Sequence, residues 1–179
     1  MSKVYNLKKV QFLPISLDKA WDFFSSPANL ATLTPDHLGF NIISLHHGEK
    51  MYPGQIIEYT VKPFLGIPLY WMTEITHVED HTFFIDNQRY GPYSLWHHQH
   101  HFKEVDNGVE MTDIIHYKLP LWFLGDIANA LFVKSQVGSL IFSHSICIWQ
   151  GNYPKTLLPD GRGKISIDSK APAIVFDAK

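Results

Sequence analysis

The sequence predicts an α+β fold: one strand, two short helices, six further strands that complete a seven-stranded antiparallel sheet, and a long C-terminal helix. Three observations carry this. From Phe40 to Pro120, runs rich in Ile, Val, Tyr, Phe, Trp and Thr alternate with turn signals, as strands require. From Gly125 to about Gln150 the apolar period becomes helical, with Ala130, Val133, Val137, Ile141 and Ile148 along one stripe. Between the first strand and the strand-rich region lie two helix-start signals, at Ser16 and at Ser26-Pro27.

The elements follow in order. Val4 to Leu13 is rich in β-formers and stops at Pro14. Ser16 then offers a capping oxygen and Asp18 a first-turn carboxylate, which suits the positive end of a helix dipole. That helix carries Ala20, Trp21, Phe23 and Phe24. A second helix is expected to start at Ser26-Pro27, where the proline ring presets φ, and to stop at Thr34-Pro35. Pro53-Gly54, Gly66, Asp80-His81, Gly91-Pro92 and Asn107-Gly108 divide the next stretch into six strands. Asn107-Gly108 is the clearest hairpin signal, since both residue types accept the positive φ of a type I′ turn. Gly151 is the expected stop of the long helix. Its apolar residues spread beyond one stripe, to Leu131, Phe132, Leu140, Phe142, Ile146 and Trp149, so more than a sheet must cover it. The division expected is one domain over residues 1–151 and a tail extension over residues 152–179.

Composition narrows the function classes. Of 179 residues, fifteen are Lys or Arg and seventeen Asp or Glu, a formal net charge of −2 with no basic run. Nothing here favours a phosphate backbone or an anionic membrane surface, so nucleic acid is not an expected partner. The segment Met1-Ser2-Lys3-Val4-Tyr5 has no signal-peptide pattern, and the single cysteine, Cys147, leaves no internal disulfide framework. A cytoplasmic location is expected. The stretch between Lys134 and Lys155 holds no Asp, Glu, Lys or Arg, but serines, Gln136 and His144 interrupt it, so integral membrane association is not expected either. An uncharged helix followed by an apolar tail leaves room for a homodimer.

Side chains two apart on a strand share a face. Trp96, His98, His100 and Phe102 therefore lie on one side of one strand, and Met111, Asp113, Ile115 and Tyr117 on one side of its hairpin partner. Imidazoles, a carboxylate and aromatics share one surface. If that surface faces inward, these polar groups carry a desolvation cost unless each finds a partner, and sites that bear such a cost are often functional.

The order of elements and several local segments resemble the START-like superfamily, which also includes the birch pollen allergen and the polyketide cyclases. The segments are Ser26-Pro27-Ala28-Asn29-Leu30 with Leu33-Thr34-Pro35, Trp71 before Thr73 and Ile75, Phe84-Ile85-Asp86-Asn87-Gln88, Gly91-Pro92-Tyr93, Trp96 to Phe102, and Met111-Thr112-Asp113 with Tyr117. They are similar to the bacterial ligand-binding branch, some members of which are labelled cell division inhibitors. The resemblance covers roughly residues 3–150 and implies a helix-grip fold, a curved antiparallel sheet wrapped around the long C-terminal helix with a cavity between them. It implies binding of lipids, sterols, polyketides or similar hydrophobic molecules, and in some members cyclisation, dehydration or hydrolysis.

Within that frame the expected ligand site has an aromatic wall of Tyr59, Trp71 and Trp96 with Thr73, and orienting groups Asp86, Gln88, His98, His100, Asp113 and Tyr117. The expected partner is a small hydrophobic or amphipathic molecule. No cofactor is expected. The plainer alternative is an interior network in which Asp113 or Asp86 accepts from an imidazole. Two sharper ones remain open: His98 or His100 positioned by Asp113 for acid–base catalysis, and a His-x-His metal site completed by Asp113 or Asp86. A role in cell division or stress as an interaction protein is the third class. His97 and His101 fall on the opposite face with Gln99 and Lys103, and are read as solvated. His144 and Cys147 share a helical face, but with no third group to orient them the thiol is read as core.

Overall fold

The computed structural model of the chain describes residues 3–30, 39–44, 50–64 and 67–120. The expected long helix from Gly125 to Gln150, the His144 and Cys147 pair, the tail, His46-His47, Gly66 and the stop at Thr34-Pro35 lie outside the described residues.

Seven strands form one antiparallel sheet: β1 (Tyr5–Leu13), β2 (Asn41–Ile42), β3 (Gln55–Phe64), β4 (Ile67–Glu79), β5 (Phe83–Tyr90), β6 (Leu95–Val105) and β7 (Gly108–Lys118). Their spatial order is β1-β7-β6-β5-β4-β3-β2, so every neighbouring pair except β1 and β7 is consecutive in the chain. Irregular register between Val61 and Phe64 in the β3/β4 pair, and between Ile75 and His77 in the β4/β5 pair, marks bulges that bend the sheet. One face is covered. Along β6 and β7 burial alternates strictly, with Trp96, His98, His100 and Phe102 buried on one strand and Val109, Met111, Asp113, Ile115 and Tyr117 on the other.

Helix α1 (Leu17–Phe24) begins where the Ser16 hydroxyl accepts a hydrogen bond from the Lys19 amide, with Asp18 in its first turn. It buries Ala20, Trp21, Phe23 and Phe24. Trp21 meets Phe102 and Phe84 edge-on at centroid distances of 5.5 and 6.1 Å, which docks the helix on β5 and β6. After it, Pro27–Asn29 form a single 3₁₀ turn, tied back by the Asn29 amide donating to the Phe23 carbonyl.

Around this frame the core divides in two. One cluster under α1 joins Leu13, Trp21, Phe24, Ile57, Phe84, Phe102 and Met111, among others. The second, at the other end of the inner face, joins Val61, Trp71, Trp96, Ile115 and Tyr117, with Tyr5, Phe40, Tyr59 and Tyr93 packed against it. Polar residues lie between the two.

The β6/β7 hairpin forms as expected, but one residue earlier. Val105 pairs with Gly108, so the loop is Asp106-Asn107, and Asn107 alone has a left-handed backbone, φ 65°. Gly108 is the first residue of β7 and its φ is not in the left-handed region. Close approach, not turn conformation, requires glycine there: a Cβ would lie 2.3 Å from the Leu13 carbonyl oxygen and 2.7 Å from the Phe12 ring. Gly108→Ala is therefore expected to lower stability by about 1–3 kcal/mol, read as a reduced urea midpoint. An unchanged midpoint would contradict the close packing of β1 on this hairpin.

Candidate functional site

The site is built by strand register. Across β1, β7 and β6, Lys9 pairs with Asp113 and Asp113 with His100, while Asp86 on β5 pairs with His98 on β6. All five side chains take the inner face. Exposure is 6% for Lys9, 0% for Asp113, 4% for His98 and 6% for His100. Charge types alternate from strand to strand as base, acid, base, acid.

Contacts among them are close. His98 Nε2 lies 3.2 Å from Asp113 Oδ1, and His98 Nδ1 lies 3.4 Å from Asp86 Oδ2. His100 Nδ1 lies 2.9 Å from the same Asp113 oxygen, and His100 Nε2 lies 3.1 Å from the same Asp86 oxygen. Each imidazole thus spans both carboxylates, and the two rings approach to 3.8 Å between centroids. Gln11 Nε2 lies 3.5 Å from Asp113 Oδ2 and 3.1 Å from Met111 Sδ. Phe84 stacks on His100 at 4.2 Å.

These neighbours set the protonation states. Burial opposes charge on His100, but hydrogen bonding and Coulombic attraction from Asp113 and Asp86 outweigh it and push its pKa up to about 9. Burial also opposes charge on His98, and the adjacent His100 adds to it, so His98 is held below its ordinary value despite the same two carboxylates. Burial alone would raise Asp113 and Asp86. The two imidazoles overcome it and hold both acids below the usual carboxylate range, with the Trp96 indole also donating to Asp86. Lys9 is lowered by burial, with Asp113 opposing. The set is one imidazolium, one neutral imidazole, two carboxylates and a buried lysine.

The other expected site residues fall at the aromatic end. Tyr59 donates to or accepts from Thr73 Oγ1 at 3.0 Å and stacks on Trp71 at 5.9 Å, and burial raises the pKa of its hydroxyl. Trp71 meets Trp96 edge-on at 5.3 Å. The Trp71 indole nitrogen is buried and has no hydrogen-bond partner among the described residues. Tyr117 stacks on Tyr5 at 5.4 Å. The Gln88 amide donates to the Tyr93 carbonyl at 2.6 Å and accepts from the Tyr93 amide at 3.3 Å, so it fixes the β5/β6 loop. His97 and His101 are half-buried on the outer face, in a ladder with Asn87 and Gln99.

Three residues of this site escaped the sequence reading. Lys9 and Gln11 share a face with Leu7 and Leu13 on β1, a spacing that places them inward once the face is known, but Lys and Gln are ordinarily solvent-facing. Tyr93 lies in a loop, where no period points to it. Asp86, His98 and His100 present donor atoms that all lie within 4.8 Å of one another, close enough to share a cation.

No protein-family model matches the chain, and no curated protein matches it. Solved structures do. TTHA0849 from Thermus thermophilus superposes with a TM-score of 0.62 at 11% identity, covering 80% of this chain and 93% of that one. Major latex-like protein 151 from Panax ginseng gives 0.62 at 13% identity, covering 84% and 99%. Ara h 8.0201 gives 0.59 at 14% identity, covering 82% and 99%. At such identities the likeness shows the fold alone: the described residues have the sheet and short-helix arrangement of the START-like, birch-pollen-allergen-like helix-grip fold that the sequence resembles. Among the described residues no helix is long and apolar enough to cross a membrane.

A buried imidazole with a raised pKa stabilises the fold while protonated. The His100 contribution is complete below its unfolded value of 6.5 and is lost as pH climbs through about 9. That of Asp113, a depressed acid, is present above its unfolded value of 3.8 and is lost as pH falls through its lower folded value. In chelating buffer, unfolding free energy is expected to decline from about pH 6.5 toward pH 9 as His100 loses its proton, and to fall again below pH 6.5, where the depressed His98 is protonated more readily in the unfolded chain. Asp113→Asn should destabilise the fold by about 3 kcal/mol or more and make that alkaline decline shallower. Urea unfolding across this range checks both, and a profile that is flat from pH 6.5 to 9 would contradict the paired state of His100.

Proposed function

We propose that this chain binds a small or medium hydrophobic ligand carrying polar groups, held against the aromatic end of the sheet's inner face. The observation that supports it most directly is the Trp71 indole N–H, buried at 8% residue exposure with no acceptor among the described residues. A buried donor left unpaired costs about 1–3 kcal/mol, which a ligand carbonyl or hydroxyl would remove. Trp96, Tyr93, Tyr117, Tyr59 and Phe40 surround it with the flat apolar surface common in small-molecule sites. The Tyr59 and Thr73 hydroxyls beside it offer a second polar anchor.

An acid–base enzyme has less support. All four ring nitrogens of His98 and His100 lie within 3.4 Å of a carboxylate oxygen, whereas a general base needs a nitrogen in reach of a substrate proton. His98, His100, Asp86 and Asp113 act in this proposal as a polar floor beside the ligand, and the wall residues make the contacts.

Native mass spectrometry of the chain purified from its own host is expected to show an organic adduct that is lost on denaturation. Trp71→Phe keeps an aromatic six-membered ring but removes the N–H with the rest of the indole, and should weaken ligand affinity by about five- to tenfold. A chain that arrives without a guest and gives no fluorescence enhancement with anilinonaphthalene sulfonate would reject the proposal and favour an interaction protein with a filled interior.

A further inference from the structure

We propose that Asp86, His98 and His100 bind one divalent transition-metal ion, zinc or ferrous iron, and that Asp113 orients both imidazole ligands. The proposal does not depend on what occupies the aromatic end of the sheet.

Geometry carries it first. Four donors held about 2.0–2.1 Å from a tetrahedral centre stand about 3.3–3.4 Å apart. His98 Nδ1 and His100 Nε2 lie 3.4 and 3.1 Å from one oxygen of Asp86, and the three donor sets fall within 4.8 Å of one another. Two imidazole nitrogens and a carboxylate oxygen are the donor types that zinc and ferrous iron prefer, with coordination positions left for water or a ligand group. Magnesium and calcium prefer all-oxygen sets.

The outer contacts agree. A metal-bound imidazole keeps its N–H on the other ring nitrogen, and that N–H almost always meets a carboxylate, a backbone carbonyl or a water. Here both remaining nitrogens, His98 Nε2 and His100 Nδ1, lie 3.2 and 2.9 Å from the single oxygen Asp113 Oδ1. Donor capacity points the same way. A protonated His100 and a neutral His98 together have three N–H groups and one lone pair, yet all four of their ring nitrogens lie within 3.4 Å of a carboxylate oxygen, so one lone pair is set against an anion. With a cation between Asp86 and the rings, both lone pairs meet the metal and the His98 N–H keeps its hydrogen bond to Asp113, while the His100 N–H, 2.9 Å from the same oxygen but out of line with it, aligns by a small turn of its ring. The charge of the ion is then opposed by both carboxylates, as burial demands.

The test uses the full chain, stripped with chelator and then titrated. Equilibrium dialysis should give one zinc per chain, and cobalt(II) should give the intense visible ligand-field absorption of a four- or five-coordinate site in the unmodified protein, a readout that needs no variant to fold. His98→Ala, His100→Ala and Asp86→Ala should each weaken zinc binding by about 100-fold or more, and Asp113→Asn by about 10–100-fold. His97→Ala and His116→Ala, on the outer face, should leave it unchanged. Absence of stoichiometric zinc, ferrous iron and cobalt binding would overturn the site, as would binding lost only in the outer-face variants. Unchanged affinity in a folded Asp113→Asn chain would overturn the role of Asp113.

Discussion

Two carboxylates, two imidazoles and a lysine cannot leave water unless each meets its partner, and that requirement governs the inner face of this sheet. Asp113 is fully buried between Lys9 on one neighbouring strand and His100 on the other, while Asp86 closes the row from β5. Removing one partner from a set so enclosed leaves an uncompensated charge, at a cost of about 3–5 kcal/mol. The row also fixes register. A slip of one residue in β6 would turn His98 and His100 outward and set His97, Gln99 and His101 against the two carboxylates. The correct pairing is thereby separated from its nearest competitor by the electrostatics of four strands at once.

Apolar packing on either side makes the row possible. Beneath α1, Trp21, Phe84 and Phe102 seal one flank, and Phe84 lies flat on His100. On the other flank Trp71, Trp96 and Tyr93 form an aromatic wall. Water kept out by both clusters strengthens the ion pairs between them, because attraction grows as the local dielectric falls. The same exclusion leaves the Trp71 N–H unpaired among the described residues, so one physical condition produces both the tight polar row and the polar appetite of the neighbouring wall.

Much of this was legible in the sequence. Alternation in Trp96 to Phe102 and Met111 to Tyr117 put the imidazoles and Asp113 on one face, because a period of two leaves no other choice once the hairpin is recognised. The hairpin itself was displaced by one residue, since Asn-Gly suits both a type I′ turn and a left-handed Asn followed by a close-packed Gly, and only the contact of Gly108 with Leu13 and Phe12 decides between them. Lys9 and Gln11 were hidden by their usual preference for solvent. The bond from the Gln88 amide to Tyr93 is not legible either, since Tyr93 is a loop residue to which no periodic signal points. Which carboxylate oxygen meets which ring nitrogen is beyond alternation, which assigns faces and not distances.

The most direct measurement is a double-mutant cycle between His100 and Asp113, with unfolding free energies determined near pH 5.5, roughly midway between the unfolded values of the two groups, in chelating buffer. Removing either partner should cost far more alone than in the other's absence, giving a coupling energy of about 1–3 kcal/mol. Additive effects of the two substitutions would mean that the imidazole and the carboxylate do not hold each other in the fold.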